Sequence, residues 1–324
     1  MLKLILDYNI FEDFINSQPK PIPFGSEKEN ENWLSFWTFL KNGGDVELIN
    51  IKKDCSSIFI TQLTTGREGT SISYNEEFKK LYKYTLQKDI SVNSIFFLNE
   101  LNPVSQELYR KKNSLAFGFI SDYKSIWEKL SLLKEESEMS VRNVDGGFSN
   151  WSKLEDYIVA LSDVIIVDNY ILNDHSIIEP NLIEIIKTLQ QKASKKFNLT
   201  IVTFEGNKYK MNLQSEFTFL AEKFKLNSID CNLSIVMATY KLKEHDRGIF
   251  TNYLRIKSGD SFNYFNNKGE YITKGTDIDF YTLVNKNKAK VTLDALYSIF
   301  RIIQDSPINN KIGDFKNKLF ECLE

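Results

Sequence analysis

The run Asp163-Val164-Ile165-Ile166-Val167-Asp168 decides the fold: four consecutive apolar residues between carboxylates read as a short strand buried on both faces. Such strands sit inside parallel sheets. Working outward, residues 180–193 carry helical spacing through Leu182, Ile185, Ile186 and Leu189, and Leu199 to Phe204 is a second apolar strand. Leu213 to Leu226 then places Phe217, Leu220, Ala221 and Phe224 on one helical face, and Leu233 to Ala238 is a third strand. Strand, helix, strand, helix, strand is the pattern of right-handed crossover units. It predicts three strands of one sheet between residues 163 and 238, with helices near 180–196 and 213–227.

Toward the C-terminus, Gly248 to Phe265 contains two strand-like runs, and residues 291–304 form a helix through Leu293, Leu296, Ile299, Phe300 and Ile303. Toward the N-terminus, residues 2–6 read as a buried strand ending at Asp7, followed by helical spacing in Ile10, Phe11, Phe14 and Ile15. The Pro-Lys-Pro-Ile-Pro stretch at 19–23 interrupts regular helix, since proline lacks the donor and restricts its predecessor. A helix resumes over 32–40, strands are expected at 46–51, 57–63 and 94–98, and charged helices at 75–87 and 122–139. Residues 142–150 (Arg-Asn-Val-Asp-Gly-Gly-Phe-Ser-Asn) are the best loop signal in mid-chain and mark a domain boundary. The expected fold class is α/β, a mixed or largely parallel sheet flanked by helices. An α/β N-terminal domain spans 1–145 and a second domain spans 150–324. No internal repeat is evident.

The chain has 324 residues, of which 42% are hydrophobic and 26% charged, which excludes a disordered, collagen-like or disulfide-scaffold protein. Forty-one Lys and Arg against 43 Asp and Glu leave a net charge of -2, which argues against wholesale wrapping of DNA but leaves room for a local basic groove. Cys55, Cys231 and Cys322 form no paired spacing and read as reduced. The N-terminus meets Asp7 too early for a secretory signal, and no apolar run approaches membrane-spanning length, so a cytoplasmic protein is expected. With only His175 and His245, a structural zinc site lacks candidate ligands. The Lys-rich runs at 192–196 and 286–290 read as solvated faces, and most of the 24 Phe, 15 Tyr and 4 Trp as core.

Chemistry concentrates in Glu244-His245-Asp246-Arg247-Gly248-Ile249-Phe250-Thr251-Asn252, where a cation follows the histidine by two residues and an amide follows the cation by five. Residues two apart on a strand share a face, so His245 and Arg247 can address one phosphate. The segment resembles the His-x-Lys-x4-Asp motif of the phospholipase D superfamily, and Gly259-Asp260-Ser261-Phe262-Asn263 resembles its Gly-Ser-x-Asn with one residue inserted. Over about residues 155–305 the chain is similar to the phospholipase-D-like C-terminal domain of MIT-domain proteins. The resemblance implies phosphate binding by His245, Arg247, Asn252, Ser261 and Asn263, with His245 as the catalytic candidate. Active relatives join two complete motifs, whereas here one is present, with Arg247 at the lysine position and Asn252 at the aspartate position. That implies a catalytically degenerate module with no cofactor, which binds a phosphate-bearing ligand, nucleic acid rather than lipid, and works with a partner protein or as a homodimer. A bacterial setting such as anti-phage defence follows from the same resemblance. The plain alternative is that His245 and Arg247 are polar strand residues.

Leu4-Ile5-Leu6-Asp7-Tyr8-Asn9 resembles the opening of PIN-domain ribonucleases, in which carboxylates converge on Mg²⁺ and activate water. Asp7 fits the first position, and Glu77, Glu100 and Asp122 are acidic candidates for the rest. A strand-terminal aspartate equally serves as a helix cap, here on the amides of Asn9 or Ile10. Asp168-Asn169-Tyr170 ends the strongest strand at the edge where open α/β sheets bind ligands, although capping and turn formation are ordinary duties there. Three functions stay open: a phosphate-binding module, a nuclease using Mg²⁺ at Asp7 or metal-free chemistry at His245, and a protein-interaction scaffold.

Overall fold

Short strands in parallel pairing build the first unit. The computed structural model describes residues 3–42, 45–51, 58–65, 70–74, 94–97, 115–117, 137–141, 148–204, 212–239, 247–283 and 286–323. The chain divides into one unit of residues 1–135 with 283–289 and another of 136–282 with 290–324. In the first, β1 (Lys3–Asp7), β2 (Asp45–Ile51), β3 (Thr70–Tyr74), β4 (Ser94–Phe97) and β5 (Leu115–Phe117) lie in the order β3-β2-β1-β4-β5. All their pairings are parallel. Helix α1 (Tyr8–Asn16) starts where Asp7 accepts a 2.9 Å hydrogen bond from the Asn9 amide, and it buries Ile10, Phe11, Phe14 and Ile15. Helix α2 (Glu27–Asn42) packs Trp33 on Phe14 at 4.9 Å and ties its indole N–H to the Phe14 carbonyl at 3.1 Å.

Two expectations change. Residues 57–63 were expected as a strand, but Ile58–Thr64 is helix α3: Ile58 is 68% exposed while Leu63 is buried, a one-sided pattern that a short apolar run does not disclose. The charged helix expected at 122–139 ends in strand instead, since β6 (Ser137–Val141) is the edge of the second sheet. Residues 122–136, and the helix expected at 75–87, lie outside the described residues.

The second unit carries the predicted crossover pattern with one further change: the helix expected to reach residue 196 ends at Gln190, and residues 193–196 open the next strand. Strands β7 (Leu161–Val167), β8 (Ala193–Phe204) and β9 (Cys231–Ala238) are parallel neighbours. Helix α4 (Glu184–Gln190), entered through a π-helical turn at Glu179–Ile183, joins the first two, and α5 (Leu213–Leu226) lies between the second and third. Strands β10 (Arg247–Phe250), β11 (Leu254–Ser258) and β12 (Thr276–Thr282) extend the sheet antiparallel, and after α6 (Lys286–Asp305) β13 (Lys311–Gly313) closes the far edge. The order is β13-β9-β8-β7-β10-β11-β12-β6, an α/β mixed sheet flanked by helices. Val164, Ile166, Leu199, Ile201, Ile235, Ile249 and Ile256 face one shared core with Leu182, Ile186, Leu220 and Phe224 from the helices. No helix among the described residues is long and apolar enough to cross a membrane.

Candidate functional site

Strand β7 ends in the middle of the sheet, and its carboxyl edge gathers the polar residues singled out from the sequence. Asp168 extends the ladder, its amide donating to the Val202 carbonyl at 3.0 Å, while its side chain is fully buried. One carboxylate oxygen accepts from the Tyr170 amide at 2.9 Å, and the other from the Ser261 hydroxyl at 2.8 Å and the Phe262 amide at 2.7 Å. Burial nevertheless pushes the Asp168 carboxyl above its ordinary 3.8, against the pull of those three bonds and of the Arg247 charge. Asp168 is thus the post to which the 259–265 loop is tied.

Arg247 opens β10 and pairs with Ser258, the last residue of β11, so its side chain reaches along the hairpin's open end. One terminal guanidinium nitrogen donates to the Gly259 carbonyl at 3.1 Å, and the group lies 5.6 Å from the centroid of the Tyr170 ring. Its Nε–H is shielded and has no acceptor among the described residues. Asn263 donates from Nδ2 to the Tyr170 carbonyl at 2.9 Å, while its buried Oδ1 has no donor among the described residues. Behind them Ser258 Oγ contacts the Tyr264 hydroxyl at 2.5 Å and donates to the Asp260 carbonyl at 2.6 Å. Burial raises the Tyr264 phenol far beyond its usual range, so it stays protonated. Gly259 lies close to Thr276, where an added Cβ would come 2.7 Å from Oγ1 and force that side chain to shift.

The loop owes its course to Asn181, which the sequence reading passed over. Its Oδ1 accepts from the amides of Tyr264 (2.9 Å) and Phe265 (3.0 Å) and from the Trp151 indole (3.3 Å). Its Nδ2 donates to the carbonyls of Ile177 (2.8 Å) and Phe265 (2.7 Å). An asparagine inside an otherwise apolar helical face, directly after Pro180, is the signal that could have found it, since such a group is buried only when fully bonded. Around it Trp151 stacks on Tyr264 at 4.8 Å and meets Phe148 edge-on at 5.1 Å.

Arg247, Ser261 and Asn263 therefore meet at one edge, although the Ser261 hydroxyl is turned inward to Asp168. Asn252 does not join them. It is fully buried at the opposite end of β7, where its Oδ1 accepts from the amides of Ser162 (2.8 Å) and Asp163 (3.3 Å) and its Nδ2 donates to the Ser162 hydroxyl at 3.1 Å. The reason is register: β10 runs antiparallel to β7, with Gly248 beside Val167 and Phe250 beside Ile165, so a residue five positions past Arg247 lies toward the other edge. His245 lies outside the described residues, as do Glu77, Glu100 and Asp122. Asp7 is buried and caps α1, and no group of three or more His, Cys, Asp or Glu suited to a metal occurs among the described residues. His175 instead pairs with Glu216 at 2.7 Å and stacks on Phe219 at 4.0 Å.

The second unit is thus a mixed sheet with parallel crossovers at its centre and an arginine-bearing hairpin beside them. Residues 147–290, a little under half of the chain, match the family model described as a phospholipase D-like domain at the C-terminus of MIT, and this segment is such a domain. No match is found among curated proteins. Among solved structures, a phosphatidylserine synthase from Haemophilus influenzae Rd KW20 aligns at 10% identity and a TM-score of 0.35. The alignment covers 55% of this chain and 39% of that one, so well under two thirds of the synthase is represented.

Proposed function

We propose that the second unit is a catalytically degenerate phospholipase D-like module that binds a phosphate-bearing ligand, nucleic acid in preference to lipid, and acts with partner proteins. The observation that carries it is Arg247: a guanidinium steadied by the Gly259 carbonyl and the Tyr170 ring, with an Nε–H left without an acceptor among the described residues. Guanidinium suits phosphate through paired donors, and an unmet buried donor is costly until something accepts from it. Degeneracy is supported by arginine at the lysine position and by Asn252, whose amide is spent on the backbone of β7 at the other edge. A setting in bacterial defence is supported by the family resemblance and the Lys- and Asn-rich composition alone.

The test compares wild type with Arg247→Ala for binding of labelled oligonucleotides across a salt series. The variant is expected to stay folded, losing about 1 kcal/mol with the bond to the Gly259 carbonyl, and to bind more weakly with a shallower salt dependence, because one fewer counterion is released. Identical binding by the folded variant removes Arg247 from the site. Cleavage of the probe, abolished by EDTA, would transfer the function to a Mg²⁺ nuclease built on Asp7; metal-independent cleavage would return it to His245; neither binding nor cleavage would leave a protein scaffold.

A further inference from the structure

Tyr170 stands where the chain leaves the buried end of β7, and it is 37% exposed although its neighbours Asp168 and Asn169 are buried. Its backbone is held from both sides. The amide donates to Asp168, and the carbonyl accepts from the Asn263 amide group at 2.9 Å and from the Asn173 amide at 3.0 Å. A backbone so fixed leaves only the side-chain torsions to be ordered when a ligand packs on the ring. The Arg247 guanidinium lies toward the ring at 5.6 Å, an arrangement in which cation and aromatic plane act together. Beside the ring, Asn263 Oδ1 has no donor among the described residues. A phosphodiester carries no proton and cannot satisfy that oxygen, whereas the edge of an unpaired base offers N–H groups.

We propose that Tyr170 is a stacking platform for an unpaired nucleobase, whose flanking phosphate binds Arg247 and whose edge donates to Asn263, so that the site selects single-stranded nucleic acid. The inference rests on the phosphate-binding reading of Arg247 and adds the base to it. Duplex is disfavoured because its bases are stacked on each other and their N–H edges are paired. A phospholipid headgroup supplies the phosphate but no planar ring for Tyr170.

The experiment uses the full chain, a labelled single-stranded oligonucleotide of mixed sequence, the same backbone with abasic sites, and vesicles containing phosphatidylserine. Wild type should prefer the base-bearing strand over the abasic one by roughly five- to a hundredfold, the range expected for one base on one aromatic ring. Tyr170→Ala should lose that preference, and Tyr170→Phe, which keeps the ring, should retain it. Matching urea midpoints for the three proteins would confirm that folding is not the cause. Equal binding of both strands by wild type, with a salt dependence that Arg247→Ala reduces, would overturn the stacking site while leaving the phosphate site standing. Salt-insensitive or absent binding of both strands, or preferential capture of the vesicles, would overturn the phosphate reading for nucleic acid and this inference with it.

Discussion

The two ends of strand β7 each hold a fully buried aspartate, and they are finished differently. At the amino end, Asp163 accepts from the Asn198 side-chain amide and the Lys318 backbone amide, both at 2.8 Å, and from the Ser162 hydroxyl, while Asn252 caps the backbone beside it. The Asn317 amide group adds a bond to the Val164 carbonyl at 2.9 Å, so the C-terminal segment is latched onto the strand. At the carboxyl end, Asp168 is as well bonded, yet the side chains around it leave the Arg247 Nε–H and the Asn263 Oδ1 without partners among the described residues. Buried polar groups in a finished structural site are bonded. One end is a latch, then, and the other is an edge with hydrogen-bonding capacity left over.

Removing the latch should have the largest effect. Asp163→Ala strips the acceptor from three donors, the buried Ser162 hydroxyl and the half-buried Asn198 and Lys318 amides, and the expected loss is about 3 kcal/mol, roughly 1 for each bond, read as a drop in the urea midpoint. Asn252→Ala, which orphans the Ser162 and Asp163 amides, should cost about 2 kcal/mol. Neither should change oligonucleotide binding by the folded protein. A binding defect from Asn252→Ala at unchanged stability would contradict the division between the two ends, because it would return that residue to the ligand.

The sequence disclosed one end of β7 better than the other, and the cause lies in how side chains report on their surroundings. The Val164 to Val167 run is apolar throughout because both its faces are covered, and α5 shows helical periodicity because only one face is. Strand β12 was not anticipated although its burial alternates strictly, since Asp277 and Asp279 on the outward face interrupt any apolar run in Thr276–Thr282. The lysines at 195 and 196 likewise hid the first half of β8. In the site, Arg247 and Ser261 were legible as a motif and Asp168 by its position after a strand. Asn252 was misplaced because motif spacing does not state how far an antiparallel partner carries a residue along the sheet. Asn181 was missed because the loop it holds, through the amides of Tyr264 and Phe265, lies more than eighty residues away in sequence.

The carboxyl end should carry a pH signature. The folded-state pKa of Asp168 is raised by burial, so between the ordinary value of 3.8 and the raised one the folded chain holds a proton that the unfolded chain has released. The contribution of Asp168 to stability is therefore full below about 3.8 and declines as pH rises through the raised value, by at most about 1.4 kcal/mol per pH unit. The exposed Asp174 is lowered by its bonds from Ser176 and works in the opposite sense, so the difference between wild type and Asp168→Asn is the quantity to follow. The stability difference between the two proteins should shift across the acid range and level off above it. A difference that stays constant with pH would mean that burial does not govern this carboxyl.

The smallest expected effect decides what Ser261 is for. The family resemblance assigns it to the ligand, whereas its hydroxyl donates to Asp168 at 2.8 Å and the residue is only 9% exposed. If the hydroxyl serves the carboxylate, Ser261→Ala removes one of three bonds to a buried acceptor and should cost about 1 kcal/mol, with oligonucleotide affinity unchanged. The cost must itself depend on pH, because a hydroxyl bonds an ionised carboxylate more strongly than a protonated one. Losing that bond raises the Asp168 pKa further, so the penalty should be greater above the titration of Asp168 and shrink below it. If the hydroxyl serves phosphate instead, the penalty in stability is small at every pH and the affinity falls. Urea midpoints at acid and neutral pH, set beside one binding isotherm, separate the two, and a loss of affinity with no pH-dependent loss of stability would move Ser261 from the support of the edge to the contact itself.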